Sequence, residues 1–467
     1  MRNITYDARV YKTEVYRGKT VTTYTVRWRA GDKPWKEPFR NKAQSESFRS
    51  SLLSAARNGE AFSITTGRPL SWQRTENDKS WYEFACAYVD MKWKLASGGY
   101  RRDIARALVA TTPAMLENKH GRPDDAKIRK ALMRWGFNAQ DRDDCPDEFA
   151  NVLRWVSRSS KPVSSLADPA TTRKVLDTIS TRLNGKRAAA STAHRNRAIL
   201  HNALEFAVEG KILTDNPIKE IKQKAPKVSN EVDRRSVVNP TQGRTLLDAV
   251  SREKPSGPRL AAFFGVMYYA ALRPEEVVSL RRDNLTLPPL VWNEEAAQWE
   301  EPTDDWGELH FGLAAPDIGK EWTDDRTQRD ERPLKHRAAG ETRTVPCTPE
   351  LTKLLRAHLA EFGTGPGGRI FWGFRGGELP TVTYRRVWDK ARREAFTADE
   401  YASPLARRPY DLRHACLSTW LNGGVPATQV AEWAGHSVEV LLRIYAKCLV
   451  GQHEIAKRRI SEALRQT

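Results

Sequence analysis

The feature that most constrains this chain is the run RPYDLRHACLSTWLNGGVPATQVAEWAGHSVEVLLRIYAK between Arg408 and Lys447. It carries its own punctuation. Pro409 and Asp411, the latter placed as an N-cap, open a helix whose apolar stretch from Ala415 to Leu421 is stopped by Asn422-Gly423-Gly424. Pro426 starts a second helix that ends at Ala434-Gly435, and Ser437 is placed to cap a third. On that third helix Val438, Leu441, Leu442 and Tyr445 recur at i, i+3, i+4 and i+7, so Tyr445 is expected on or beside the apolar stripe. A lone tyrosine at this spacing reads as a core residue; its neighbours change that reading.

Arg413 falls in the first turn of its helix, where a cation opposes the helix dipole. Free backbone N–H groups and a guanidinium fork together suit a phosphate, so the placement makes sense if an anion visits. His436 is delivered by the Gly435 turn, and Tyr445 follows nine residues later. Upstream, in FFGVMYYAALRPEEVVSL, a predicted helix from about Leu260 to Leu272 is interrupted at Arg273, and Pro274 opens another with Glu275 and Glu276 in its first turn. Arg273 thus repeats the placement of Arg413. RPLKHRAAGETRTVPC has strand, turn and strand character around Ala338-Ala339-Gly340, with Lys335 at the start of the turn.

The order Arg273, Lys335, Arg413, His436, Tyr445, carried by ALRPEEVVSL, YDLRH and AGHSVEVLLRIY, resembles the catalytic set of the tyrosine recombinases, the phage-integrase family. Two departures are visible: Tyr410 stands where the family usually has a histidine, and Glu275 replaces a commoner small residue. The resemblance implies that Tyr445 attacks a DNA phosphate, forming a 3'-phosphotyrosine and expelling the 5' oxygen. It implies that Arg273 and Arg413 hold the non-bridging oxygens, that His436 adds a hydrogen bond and that Lys335 protonates the leaving group. Tyr410 is expected to hydrogen-bond the phosphate or orient its neighbours, with His414 and Glu276 in supporting positions. A phenol has a pKa near 10, so lowering it by ~3 units asks about 4 kcal/mol of the surrounding charges. No metal, nucleotide or other cofactor is expected, because the phosphotyrosine conserves the bond energy.

The formal net charge of +19 over 467 residues agrees with a nucleic-acid partner. Cys86, Cys145, Cys347, Cys416 and Cys448 are scattered without CxxC spacing, which argues for reduced thiols and against a zinc site. MRNITYDARV has no signal-peptide core, and AAFFGVMYYAAL, bracketed by Arg259 and Arg273, is too short to span a bilayer. The expected setting is the cytoplasm, nucleoid-associated, with no membrane partner. Expected partners are double-stranded DNA attachment sites, a homotetramer in the synaptic complex, and an excisionase or DNA-bending host factor.

The expected fold is multidomain. Residues 1–65 read as a small α+β domain, with three strands between Ala8 and Phe39 turning at Gly18 and Gly31-Asp32, then a helix from about Lys42 to Asn58. Tyr24, Val26 and Trp28 share one face of the middle strand; Thr23, Thr25, Arg27 and Arg29 share the other. The resemblance makes this an arm-type DNA-binding domain with Arg27 and Arg29 as contacts. Residues 72–225 read as an all-α core-binding domain, with helical segments at Ser80 to Lys94, Gly99 to Leu116, Asp124 to Trp135, Pro146 to Val156, Ala167 to Leu183 and Thr192 to Glu209. Arg195 and Arg197 on the last of these are candidate phosphate contacts. The polar stretch 226–240 is the expected linker, and 241–467 the mainly α catalytic domain with a small antiparallel sheet. Within it Pro288 to Arg332, acidic and Trp-containing, reads as an elaborated sheet edge, and HEIAKRRISEALRQT as a terminal helix. The functional expectation is a site-specific recombinase that integrates and excises a phage or other mobile element. A type IB-like topoisomerase and an inactive DNA-binding regulator are the alternatives.

Overall fold

The computed structural model describes residues 4–70, 72, 78–117, 120–182, 185–222, 231–300, 302, 304–334, 340–445, 448 and 452–465. They form two compact units, Met1–Ala96 with Tyr100–Lys227, and Ser97–Gly99 with Val228–Thr467.

In the first unit, strands β1 (Ile4–Thr5), β2 (Ala8–Val10), β3 (Glu14–Arg17), β4 (Thr22–Ala30) and β5 (Lys33–Phe39) precede helix α1 (Lys42–Arg57). The long β4 pairs with β2 and β3 along one edge and with β5 along the other. The expected first strand is therefore broken in two. Between the Val10↔Trp28 and Glu14↔Thr25 pairs the edge strand carries one residue more than its partner, a bulge that ends one strand and starts the next. Alternation along β4 sends Val26, Trp28 and Ala30 into a core with Leu52, Ala55 and Phe62, where Phe48 meets the Trp28 ring edge-on. On the other face Arg27 pairs with Glu14 at 2.9 Å and Arg29 with Asp7 at 3.0 Å, both half-exposed. Asn41 caps α1, accepting from the Ala43 N–H at 2.8 Å.

The rest of this unit is helical. Trp81–Trp93 starts at a Ser80/Glu83 capping box, Asp125–Ala131 is capped by Asp124 and runs into a π turn at Leu132–Gly136, and Asp147–Ser159, Pro169–Ile179 and Ala190–Glu209 follow. The helix Gly98–Thr111 continues as a tighter turn over Thr112–Met115. Pro169–Ile179 stops short of the expected Leu183, a residue outside the described ones. Arg195 pairs with Asp103 at 3.2 Å, and Arg197 donates to the Ile218 carbonyl at 3.5 Å.

The second unit is built around the helix Pro258–Tyr269, whose Leu260, Phe263, Phe264, Val266 and Met267 are all buried. Helices Pro240–Arg252, Pro349–Phe362 and Asp411–Asn422 pack on it. An antiparallel sheet runs in the order Arg343–Cys347, Gly307–Phe311, Leu285–Thr286. Two expectations change here. The acidic section supplies Gly307–Phe311, the central strand of that sheet, as well as a separate hairpin of Val291–Asn293 and Gln298–Glu300, on which the Trp292 and Trp299 rings meet edge-on at 5.4 Å. In the stretch read as a linker, residues 231–239 are packed: the Val232 N–H donates to the Ile444 carbonyl, the Ser236 carbonyl accepts from Ala406, and Val238 is buried. Apolar residues spaced without a period gave no sign of this. Among the described residues no helix is long and apolar enough to cross a membrane.

Candidate active site

The central helix does not run to Leu272 as its composition suggests. It ends at Tyr269, and Ala271 adopts a left-handed φ of 54° that turns the chain into Arg273. A β-carbon in that region costs on the order of 1 kcal/mol, and it persists here because the turn aims the Ala271 carbonyl at the Arg413 guanidinium. Arg273 is the N-cap of the short helix Pro274–Val277. Its backbone N–H donates to Glu276 Oε2 at 2.8 Å and its Nη1 to Glu276 Oε1 at 2.7 Å.

Asp411, expected as an N-cap, is the first helical residue of Asp411–Asn422. Its carboxylate instead closes the preceding turn, accepting from the Arg408 backbone at 2.8 Å and from Arg408 Nη2 at 3.0 Å. Arg413 is thereby set on the buried side of the first turn, fully inside. Its Nη2 donates to the Ala434 carbonyl at 2.6 Å and lies 3.1 Å from His436 Nε2, and its Nη1 is 3.9 Å from Glu276. The Ala434 carbonyl lies at the end of a helix, where backbone acceptors are left over and negative potential gathers.

Glu276 has a third cation that the motifs did not point to. Arg343, the first residue of the strand Arg343–Cys347, donates to Glu276 Oε2 at 2.8 Å and lies 4.4 Å from the Phe311 ring centroid, with almost none of its surface exposed. Its signal was in the strand pattern: Arg343, Val345 and Cys347 alternate onto one face, so a guanidinium stands at an inward position. Gly435, at φ 63°, caps the helix before His436, and a β-carbon there would run into the Arg343 guanidinium.

One buried carboxylate therefore faces three guanidiniums. Burial alone would raise the Glu276 pKa, yet Arg343, Arg273 and Arg413 overcome it and hold it at about 2. His436 is driven the other way, to about 3, by burial and then by Arg413, Arg273 and Arg343, so it is neutral. The Arg413 and Arg343 Nε atoms and His436 Nδ1 are buried without a partner among the described residues. A cluster with excess positive charge and spare polar atoms suits an anion such as a phosphodiester.

Tyr445 ends the helix Val438–Tyr445, which Ser437 caps by accepting from the Val440 N–H at 3.2 Å. The apolar stripe is narrower than the spacing suggests: Leu441 and Tyr445 are buried, whereas Val438 and Leu442 are exposed. Tyr445 is 1% exposed, and its hydroxyl lies 2.7 Å from His414 Nδ1. Burial pushes the phenol well above its ordinary range, with Arg413 pulling against it. The Tyr410 and His414 rings meet edge to face at 5.1 Å.

Arg273, Arg413, His436 and Glu276 are thus brought into one cluster, with Tyr410 and His414 beside it at the start of the Arg413 helix and Tyr445 at the end of Val438–Tyr445. Lys335 lies outside the described residues. Arg27, Arg29, Arg195 and Arg197 belong to the first unit.

No protein-family model matches the sequence, and no curated protein does. Among solved structures, the chain is similar to the Tn1549 transposon integrase in complex with transposon right end DNA, at 14% identity and TM-score 0.47, over 69% of this chain and 96% of that one. It is also similar to a lambda integrase tetramer bound to a Holliday junction, at 14% identity and TM-score 0.43, over 92% of this chain and 95% of that one. A third likeness is to the XerH site-specific recombinase bound to difH substrate, at 11% identity and TM-score 0.44, over 79% and 94%. These neighbours are tyrosine recombinases; at such identities and TM-scores the likeness assigns nothing to individual residues here.

Proposed function

We propose that the chain is a site-specific DNA recombinase of the tyrosine type, which cuts and rejoins duplex DNA through a 3'-phosphotyrosine at Tyr445. The observation that carries this reading is the convergence of motif residues far apart in sequence: Arg413 touches His436, Glu276 ties Arg273 to the same cluster, and Tyr445 is bonded to the helix that bears Arg413. In this reading a scissile phosphate displaces part of the internal bonding of Arg413 and Arg273, and the two guanidiniums stabilise the charge that grows on its non-bridging oxygens. Neutral His436 donates to the same phosphate. Lys335 protonates the departing 5' oxygen, as the family resemblance implies. Residues 1–65 bind arm-type sites, 72–225 grip core DNA, and integration and excision of a mobile element follow from a tetramer on two such sites.

The test is strand polarity. A nicked suicide duplex carrying the DNA junction that flanks the gene is incubated with the protein, and the fate of each end is followed. Recombinase chemistry leaves the 3' fragment on the protein and a free 5' hydroxyl. Plasmid relaxation without joining of two sites would favour the topoisomerase, and DNA binding with no cleavage the inactive regulator.

A further inference from the structure

We propose that His414 is the proton acceptor for the nucleophile. This rests on the recombinase reading and names one of its steps. His414 lies one helical turn beyond Tyr410, so both project from one side of the helix, and the Tyr410 ring packs edge-on against the imidazole. The His414 Nδ1 atom is 2.7 Å from the Tyr445 hydroxyl, a full hydrogen bond between a half-buried imidazole and a buried phenol. With its proton on Nε2, the imidazole accepts the phenol O–H at Nδ1.

The step balances within the site. The Tyr445 oxygen forms a bond to phosphorus while its proton passes to His414 Nδ1, and the phosphorus–5'-oxygen bond breaks with the general acid supplying a proton to that oxygen. In the reverse step the 5' hydroxyl attacks the phosphotyrosine, and Tyr445 leaves with the proton returned by His414.

The charges facing His414 explain why the residue waits for substrate. Burial, and after it Arg408 and Arg413, keeps the imidazole neutral; a cavity of about 420 Å³ beside it is lined also by Arg407, Asp411, Asp233 and Glu231. Without DNA the buried phenol therefore keeps its proton. A phosphate bound at Arg413 brings negative charge that offsets the part of this effect on His414 due to Arg413, and so strengthens the base as the substrate arrives.

The cavity also makes the proposal testable, since it leaves space beside His414 for a small base. Single-turnover formation of the covalent complex is measured on the nicked duplex for the wild type, His414→Ala with and without added imidazole, and His414→Gln. Loss of a general base predicts a fall of roughly 10² to 10⁴ in His414→Ala. Imidazole should restore at least tenfold of it, with rescue rising with pH through the titration of free imidazole. Gln offers a hydrogen-bond acceptor but takes no proton, so His414→Gln should stay within tenfold of the Ala variant while binding the duplex normally. Near wild-type cleavage by His414→Gln, or no rescue by imidazole, would reduce His414 to a residue that only positions Tyr445 and overturn the proposal. Absence of an adduct from the wild type, under conditions where it binds the same duplex, would remove the recombinase reading and this assignment with it.

Discussion

Replacing Glu276 by Gln removes one negative charge from beneath three guanidiniums while keeping the side chain's shape. The carboxylate accepts from Arg273 twice, at 2.7 and 2.8 Å, and from Arg343 at 2.8 Å, through both of its oxygens. An amide offers one oxygen and one NH2 group, so at least one of these donors must then face another donor. Two routes give the size of the effect. Breaking a buried ion pair by removing one partner costs about 3–5 kcal/mol. Separately, a carboxyl held at about 2 in place of 4.5 is worth about 3 kcal/mol in the folded state. The routes agree, and the loss is a large part of a domain's ordinary stability of about 5–15 kcal/mol.

The pH dependence identifies the cause. Because the folded pKa lies below the unfolded one, the Glu276 contribution is complete above about pH 4.5 and is lost as pH falls towards 2. His414 and His436 have folded values lowered to about 4 and 3, so their contribution is complete above about pH 6.5 and declines below it. It declines in both proteins and to first order cancels from the difference. Urea unfolding of wild type and Glu276→Gln should therefore give a gap of about 3 kcal/mol or more that is flat from pH 7 to pH 5 and narrows below. A gap under about 1 kcal/mol, or one that stays unchanged at pH 3, would refute the account of this cluster.

Three further predictions follow from particular residues. Ala271→Gly should leave stability equal or higher by up to about 1 kcal/mol in thermal unfolding, since glycine accepts the left-handed turn at no steric cost; a clear loss would show that the methyl packs rather than strains. Tyr410→Phe should slow cleavage by no more than about tenfold, the worth of one hydrogen bond; a loss as complete as in Tyr445→Phe would mean that Tyr410 has a larger role. Replacing Arg27 and Arg29 together by Ala should lower the salt slope of arm-DNA binding by about 2 and leave core-site cleavage intact. An unchanged slope would remove these two side chains from the DNA interface.

The residues that local rules govern were legible in the sequence. Asn422-Gly423-Gly424, Gly435 and Ser437 punctuate the helices where expected, and alternation along Thr22–Ala30 sorted its buried face from its charged one. What long-range packing decides was not legible. The central helix ends at Tyr269, and the Ala271 carbonyl just beyond it accepts from Arg413, a partner 142 residues away. Arg343 lies 67 residues from Glu276, and only its inward register in a strand hinted at a buried charge. The bulge between Val10 and Glu14 left no periodic trace, because the edge residues around it are largely exposed. The hydrogen bond between His414 and Tyr445 joins two short helices whose relative placement no single-segment pattern contains.

The measurement that bears most directly on the central claim is the chemical identity of the DNA-linked residue. The adduct trapped on the nicked duplex is digested with protease and nuclease, and the nucleotide-bearing peptide is sequenced by mass spectrometry. The account predicts a single modified residue, Tyr445, carrying a 3' nucleotide through its phenolic oxygen, and no adduct in Tyr445→Phe. A nucleotide on Tyr410 or on any other residue, or an adduct that survives Tyr445→Phe, would contradict it.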